Sequence, residues 1–440
     1  MSHEKAVTQS ELCSFAINII LENEGCRVGN EKHYNLKPIT NNIPAKILQA
    51  FLESCGLGTK FSNARKPIDE FFADMLLTEV VTKTSLEQFF FDSLQYGNHR
   101  SCYMLNIENF GNPDLNTFLI ALGKSKKFIN IISHADTTAK EELIALQPNY
   151  NTSKKISTVS LLYRQRIETL TKGNLQSQTV FIPVCFDLEK SKLFVRVCPN
   201  IEGEKEKKYR YSEIADKYIM KMQNLFKLDF SQINDLTFQK IYNVTQNLTQ
   251  EYFAHISSGA IDDSLIQQMA DSIEQSLQID NLAEKSSMSG IYDIRSNLRT
   301  LLENILVMEF EQINTGRLDE LGLNGYISYF RYADRKLFKT RFRGENYRKP
   351  VTESETFLVL REDLKRFREI EAIQVYWYQD RAKSLRVKYE VDSIDRLLLR
   401  FYDDLTEGDF EYAIRQFDKF GQKDFANVQC VDKTYAAGTA

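Results

Sequence analysis

Apolar residues recur at two different spacings along this chain, and the change from one to the other divides it. Over the first hundred residues the spacing is helical. "SELCSFAINIILENEG" sets Leu12, Phe15 and Ile19 on one face, with Ser10 placed to cap the helix and Gly25 to stop it. "NIPAKILQAFLESCGLG" repeats the pattern up to Gly56, and "KPIDEFFADMLLTEVVTKTSLEQFFFDSLQYG" starts at Pro67 and continues as one or two helices.

From about residue 100 short β-prone runs take over. "SCYMLNI" and "KFINIIS" predict strands, with helices over "NPDLNTFLIALGK" and "DTTAKEELIAL". That order suits a parallel α/β unit, and a mixed α+β sheet fits nearly as well. "TVFIPVCFDLEKSKLFVRVCPN" predicts a hairpin turning at Asp187 to Ser191, and Pro183 and Pro199 place that hairpin at a sheet edge. The charged stretch "CPNIEGEKEKKYRYSE" reads as a linker or surface loop near 199–213.

Helices dominate from there to about 315. Ile261, Leu265, Met269, Ile273 and Leu277 form one apolar stripe; Ile291, Ile294, Leu298, Leu301 (or Leu302), Ile305 and Met308 form another, ending at Gly316. Two antiparallel helices burying these stripes together are the simpler expectation. Association through 261–313, with a protein partner or as a homo-oligomer, is the other.

Alternation returns after Gly325. "YISYFRYADRKLFKTRFRG" predicts a hairpin turning at Ala333 to Arg335, followed by a strand over "SETFLVL" and a short helix over "REDLKRFREIE". "AIQVYWYQDRAKSLRVKYEV" predicts two strands, "SIDRLLLRFYDDL" and "GDFEYAIRQFDKFG" two helices, and "VQCVDKTYAAGTA" a frayed tail. The expected fold is a helix-rich, multidomain α+β protein: a helical region at 1–100, a mixed α/β sheet region at 101–200, a helical segment at 201–316, and an α+β domain at 317–440 carrying a basic hairpin and an acidic tail.

Composition agrees with this. Only 18 Gly and 8 Pro in 440 residues leave few helix breakers. Seven scattered cysteines with no C-x-x-C pair argue against a disulfide framework or structural zinc, and for a reducing compartment. The N-terminus has no basic region before its apolar run, and no segment offers the roughly 18–20 apolar residues of a membrane span. A cytoplasmic protein with no membrane association is expected.

Charge adds the most. The net charge of −4 hides a basic block, residues 331–400, with 18 Lys+Arg against 12 Asp+Glu; residues 401–440 carry 4 against 8. Within the block, alternation along "KLFKTRFRG" puts Phe338, Thr340 and Phe342 on one face and Leu337, Lys339, Arg341 and Arg343 on the other. Arg331 and Tyr332 on the facing strand, and Tyr347, Arg348 and Lys349 beyond, extend this surface. Cations beside aromatic rings suit nucleic acid, DNA or RNA: phosphates meet the charges and unstacked bases meet the rings. Four to six such contacts would give a salt slope of roughly −3 to −5. Edge protection, or pairing with Asp403, Asp404, Glu407, Asp409 and Glu411, would account for the same residues.

Catalytic signatures fail one by one. Gly123-Lys124-Ser125 lacks the earlier glycine of a phosphate-binding loop, because Phe118 stands there. "GLGTK" at 56–60 has no third glycine and follows no strand. Cys102 and His99 are near each other in sequence only, and His134 past a strand end reads as a hydrogen-bonded structural histidine. A magnesium-dependent nuclease, the enzymatic alternative, would draw carboxylates from Asp187, Glu189, Glu390 and Asp392, with Lys192 and Lys388 near them. A structural subunit of a larger assembly is the remaining alternative. No other cofactor is implied.

Overall fold

The computed structural model describes residues 34–422, apart from 99–100, 112, 136–137, 172–173, 199–210, 233–234, 258–259, 277–293, 314–321, 334–338, 345–348, 365–369, 380–382 and 394. The expected helix from Ser10, the loop at 199–210, the hairpin turn at 334–335 and the C-terminal tail lie outside the described residues. The fold class is α+β, with a larger share of strand than the sequence suggests.

The chain divides into two units, Met1–Gln232 with Asp392–Gly408, and Ile233–Val391 with Asp409–Ala440. The first begins with helices α1 (Lys37–Thr40), α2 (Ala45–Ser54), α3 (Gly58–Ala64), α4 (Ile68–Leu77) and α5 (Lys83–Gln95). Strand β1 (Ser101–Asn106), α6 (Leu115–Ala121), β2 (Phe128–Ile129), β3 (Glu141–Tyr150), β4 (Ile156–Thr171), β5 (Asn174–Asp187), β6 (Lys192–Val197) and α7 (Tyr211–Phe226) follow. The second unit runs through α8 (Asp235–Ser257), α9 (Asp263–Ser276), α10 (Ile294–Ile313), β7 (Gly325–Ala333), β8 (Lys339–Arg343), α11 (Glu355–Leu364), β9 (Ile370–Tyr378) and β10 (Ser384–Ser393). The chain then returns to the first unit for β11 (Arg396–Phe401) and ends the second with α12 (Glu407–Phe420).

In the first unit the strand order is β2-β3-β4-β5-β6-β1-β11, and every pair is antiparallel. The parallel α/β arrangement is therefore ruled out. Both faces of this sheet are buried. Val180, Ile182, Val184 and Phe186 of β5 point into one core with Phe118 of α6 and Tyr218 of α7. Phe181 and Leu162 point into another with Phe51, Phe72 and Phe90 of α2, α4 and α5.

Two-sided burial explains three departures from expectation. "EELIAL" becomes part of β3, and "RLLLRF" becomes β11, although both are rich in helix formers. Leu397, Leu398 and Leu399 are all buried, which a strand between two covered faces permits and a surface helix does not. The predicted hairpin forms as β5 and β6, but in the sheet interior, between β4 and β1. Pro183 is tolerated there because it lies just past the last β5–β6 pair, where β5 pairs with β4 alone.

The second unit holds an antiparallel sheet of order β10-β9-β7-β8. One face is packed by helices: Phe330 meets Phe357 of α11, Trp377 meets Phe420 of α12, and Tyr389 stacks on Phe417 at 4.4 Å. Helix α11 stands where "SETFLVL" predicts a strand, because Ser354 caps it by accepting the Phe357 N–H at 3.3 Å. The end of α12 is held from α8: Asn247 donates to the Phe420 and Gln422 carbonyls at 2.8 and 3.1 Å, and Asn243 to the Gly421 carbonyl at 2.9 Å. Among the described helices none is long and apolar enough to cross a membrane, and Cys55, Cys102, Cys185 and Cys198 are free thiols.

A buried carboxylate in the first unit gives a pH prediction. Glu87 of α5 accepts from the backbone N–H groups of Ile131 and Ile132 at 2.6 and 3.2 Å. Burial raises its pKa, against those two bonds and the charges of Lys83 and His134. A carboxyl raised above its unfolded value favours folding while protonated, and that contribution is lost as pH rises through the folded value. Thermal melts should therefore show Glu87→Gln gaining on the wild type from the ordinary carboxylate range upward, with no such trend at lower pH.

Candidate nucleic-acid interface

Because side chains alternate, committing Ile373, Val375 and Trp377 of β9 to the helices commits Gln374 and Tyr376 to the opposite face. Cross-strand register assembles the rest. Gln374 and Tyr376 pair with Lys388 and Arg386 of β10 on one side. On the other side they pair with Tyr329 and Tyr326 of β7. Tyr329 and Arg331 in turn pair with Arg343 and Arg341 of β8.

Rings and cations alternate across this face. Tyr326 stacks on Tyr376 with centroids 4.9 Å apart and planes 4° from parallel. Lys388 Nζ sits 5.4 Å from the Tyr329 ring, and the Arg386 guanidinium 5.9 Å from the Tyr376 ring while donating to its hydroxyl at 3.3 Å. Among the described residues Arg331, Arg341, Arg343, Arg386 and Lys388 stand against Glu371 and Glu390.

The predicted site residues divide into two groups. Arg341 and Arg343 are exposed on the edge strand β8, with Phe342 between them buried against Phe330 at 4.6 Å, as alternation requires. Arg331 is only 18% exposed, and it bonds Glu371 at 2.9 Å and Glu390 at 3.0 Å. Lys388 also bonds Glu390, at 2.8 Å. Arg331 is thus a positioning residue that holds the sheet's own carboxylates. Lys349 is half-buried. The side chain of Lys339, and residues Tyr347 and Arg348, lie outside the described residues.

The sequence places the binding surface on the hairpin 326–349, which spans Tyr326 and Tyr329, and sets Lys388 beside the nuclease carboxylates; it does not bring Tyr376, Arg386 and Lys388 to this face. The signal was present as alternation in "YISYFRY", "IQVYWY" and "LRVKYE", but only the pairing register sets these runs side by side. The acidic stretch has its own partners: Asp404 pairs with Lys46 at 2.9 Å, Asp409 with Lys383 and Gln379, and Glu407 accepts from Tyr96 at 3.2 Å.

The nuclease carboxylates are each engaged. Asp187 accepts from the Lys190 N–H at 2.9 Å, Glu189 from Asn151 at 3.0 Å, and Asp392 from Arg396 at 2.7 Å, while Glu390 is held as above. Among the described residues no group of three or more His, Cys, Asp or Glu could hold a metal ion. Burial pushes the Cys102 thiol up to about 12, so it is no ready nucleophile. His134 bonds the Asn130 carbonyl at 2.7 Å and Glu142 at 3.2 Å. A cleft of about 390 Å³ in the first unit is lined by Lys83, Glu87, Gln88, Lys127 and Phe128, but the carboxylate of Glu87 is occupied by backbone N–H groups.

Compared with protein-family models and with curated protein sequences, the chain matches none.

The two groups of arginines should separate on mutation. Arg331→Ala leaves the partly buried Glu371 without this cation and Glu390 with Lys388 alone, and is expected to cost about 2–3 kcal/mol. Arg341→Ala and Arg343→Ala are expected to change stability by less than about 0.5 kcal/mol. Urea midpoints measure both.

Proposed function

We propose that this is a non-catalytic nucleic-acid-binding protein that holds single-stranded DNA or RNA on the face of the β10-β9-β7-β8 sheet opposite its helices. The observation that carries the reading is the interleaving of rings and cations over adjacent strands, with Lys388 beside Tyr329 and Arg386 beside Tyr376. Tyr326 and Tyr376 are buried against each other, so the half-buried Tyr329 is the ring offered to an unpaired base, and guanidinium groups at the β8 edge suit a backbone running past it.

Fewer phosphates are contacted than the sequence alone suggests. Glu371 and Glu390 hold Arg331 and Lys388, so among the described residues the exposed Arg341 and Arg343 carry the phosphate contacts, and the salt slope for a single strand is roughly −1.4. Single strands fit better than duplexes, since duplex bases present no free face to the Tyr329 ring.

Fluorescence anisotropy over a salt series, with labelled single- and double-stranded DNA and RNA, tests this. Tyr329→Ala is expected to weaken single-strand binding by about 1–3 kcal/mol with the slope unchanged. Arg341→Ala with Arg343→Ala is expected to flatten the slope by about 1.4. Absence of low-salt binding would overturn the proposal and leave β8 as an edge guard or a protein contact in a larger assembly. Cleavage that requires magnesium would move the protein to the nuclease alternative.

A further inference from the structure

The apolar stripes of the second unit do not bury each other. On α10, Leu301, Ile305 and Met308 are 55%, 51% and 45% exposed, and on α9 Leu265 is 52% exposed. The opposite side of α10 is the one its own unit uses. Val307 is fully buried there, and Glu303 bonds Arg361 at 2.6 Å while that guanidinium lies 3.6 Å from the Phe253 ring.

Along α10 the half-buried Ile294 and Leu298 share one side with the exposed Leu301, Ile305 and Met308, spaced 4, 3, 4 and 3. That is the seam spacing of a helix that packs knobs into holes on a second helix. Glu303 and Val307 fall on the outer positions of the same heptad, which is why the unit can hold α10 by them and leave the seam open.

We infer that α10 pairs antiparallel with α10 of a second copy of this chain. Seating Leu298 against Met308 of the other copy, and Leu301 against Ile305, fills four layers about a two-fold axis. The same register brings Arg295 of each copy beside Glu309 of the other, both exposed and at flanking positions. In a parallel copy in register Arg295 and Glu309 lie fourteen positions, about 21 Å, apart along the axis and do not meet. The charge pattern is thus complementary to itself in one orientation only, and this selects a second copy over an unrelated helix. The inference is independent of nucleic-acid binding, since no residue is shared.

The contact is smaller than a standard interface, so association is expected to be reversible, with Kd on the order of 10 µM. Sedimentation equilibrium of the full chain, from low micromolar to several hundred micromolar, should show monomer and dimer. Leu301→Glu and Ile305→Glu should each weaken the dimer at least about tenfold, with unchanged circular dichroism because both sites are exposed. Arg295→Glu should weaken it by roughly tenfold, and adding Glu309→Arg should restore it. A monomer at every concentration would overturn the inference, as would a dimer that survives Leu301→Glu with Ile305→Glu. Failure of the charge swap to restore association would overturn the antiparallel register.

Discussion

A short chain of buried hydrogen bonds fixes the second unit's sheet. Trp377 donates its indole N–H to the Tyr389 hydroxyl at 2.9 Å, and that hydroxyl donates to the Ala413 carbonyl of α12 at 3.0 Å. Burial raises the Tyr389 pKa, so the phenol keeps its proton and remains a donor. Each bond is worth about 1 kcal/mol net, but leaving any of the three groups unsatisfied would cost about 1–3 kcal/mol. The pairing of β9 with β10 is thereby set in one register, because a slip by one residue would turn Trp377 and Tyr389 away from the helices.

Everything on the other face follows from that register. With Trp377, Val375 and Val387 committed inward, Tyr376, Gln374, Arg386 and Lys388 must point outward. The pairing of β7 with β9 then brings Tyr326 and Tyr329 alongside. The carboxylates of Glu371 and Glu390 hold Arg331 and Lys388 upright beside the rings. Their presence lowers the net charge of the face and orders the cations. The first unit differs in kind: its sheet is covered on both faces, so its strands contribute cores.

Local pattern was enough for several elements. The β5–β6 and β7–β8 hairpins and the strands β9 and β10 were legible because alternation and polar turns are properties of adjacent residues, and the helices around Phe51 and Phe72 were legible from their spacing. Arg341 and Arg343 were legible as an exposed pair for the same reason. The strands β3 and β11 were not, since leucine and glutamate favour helices in isolation and only pairing with distant strands overrides them. The α9 and α10 stripes were visible as stripes, but spacing alone could not say which side of α10 its own unit would bury.

By itself the sequence determined the α+β class, the basic block after residue 331 and the alternation that exposes its arginines. Tertiary structure decided the antiparallel topology, the engagement of Arg331 with Glu371 and Glu390, and the assembly of Tyr326, Tyr329, Tyr376, Arg386 and Lys388 into one face. The physical reason is range. Propensity and periodicity act over a few residues, whereas register, two-sided burial and ion pairing depend on contacts made between segments tens to hundreds of residues apart.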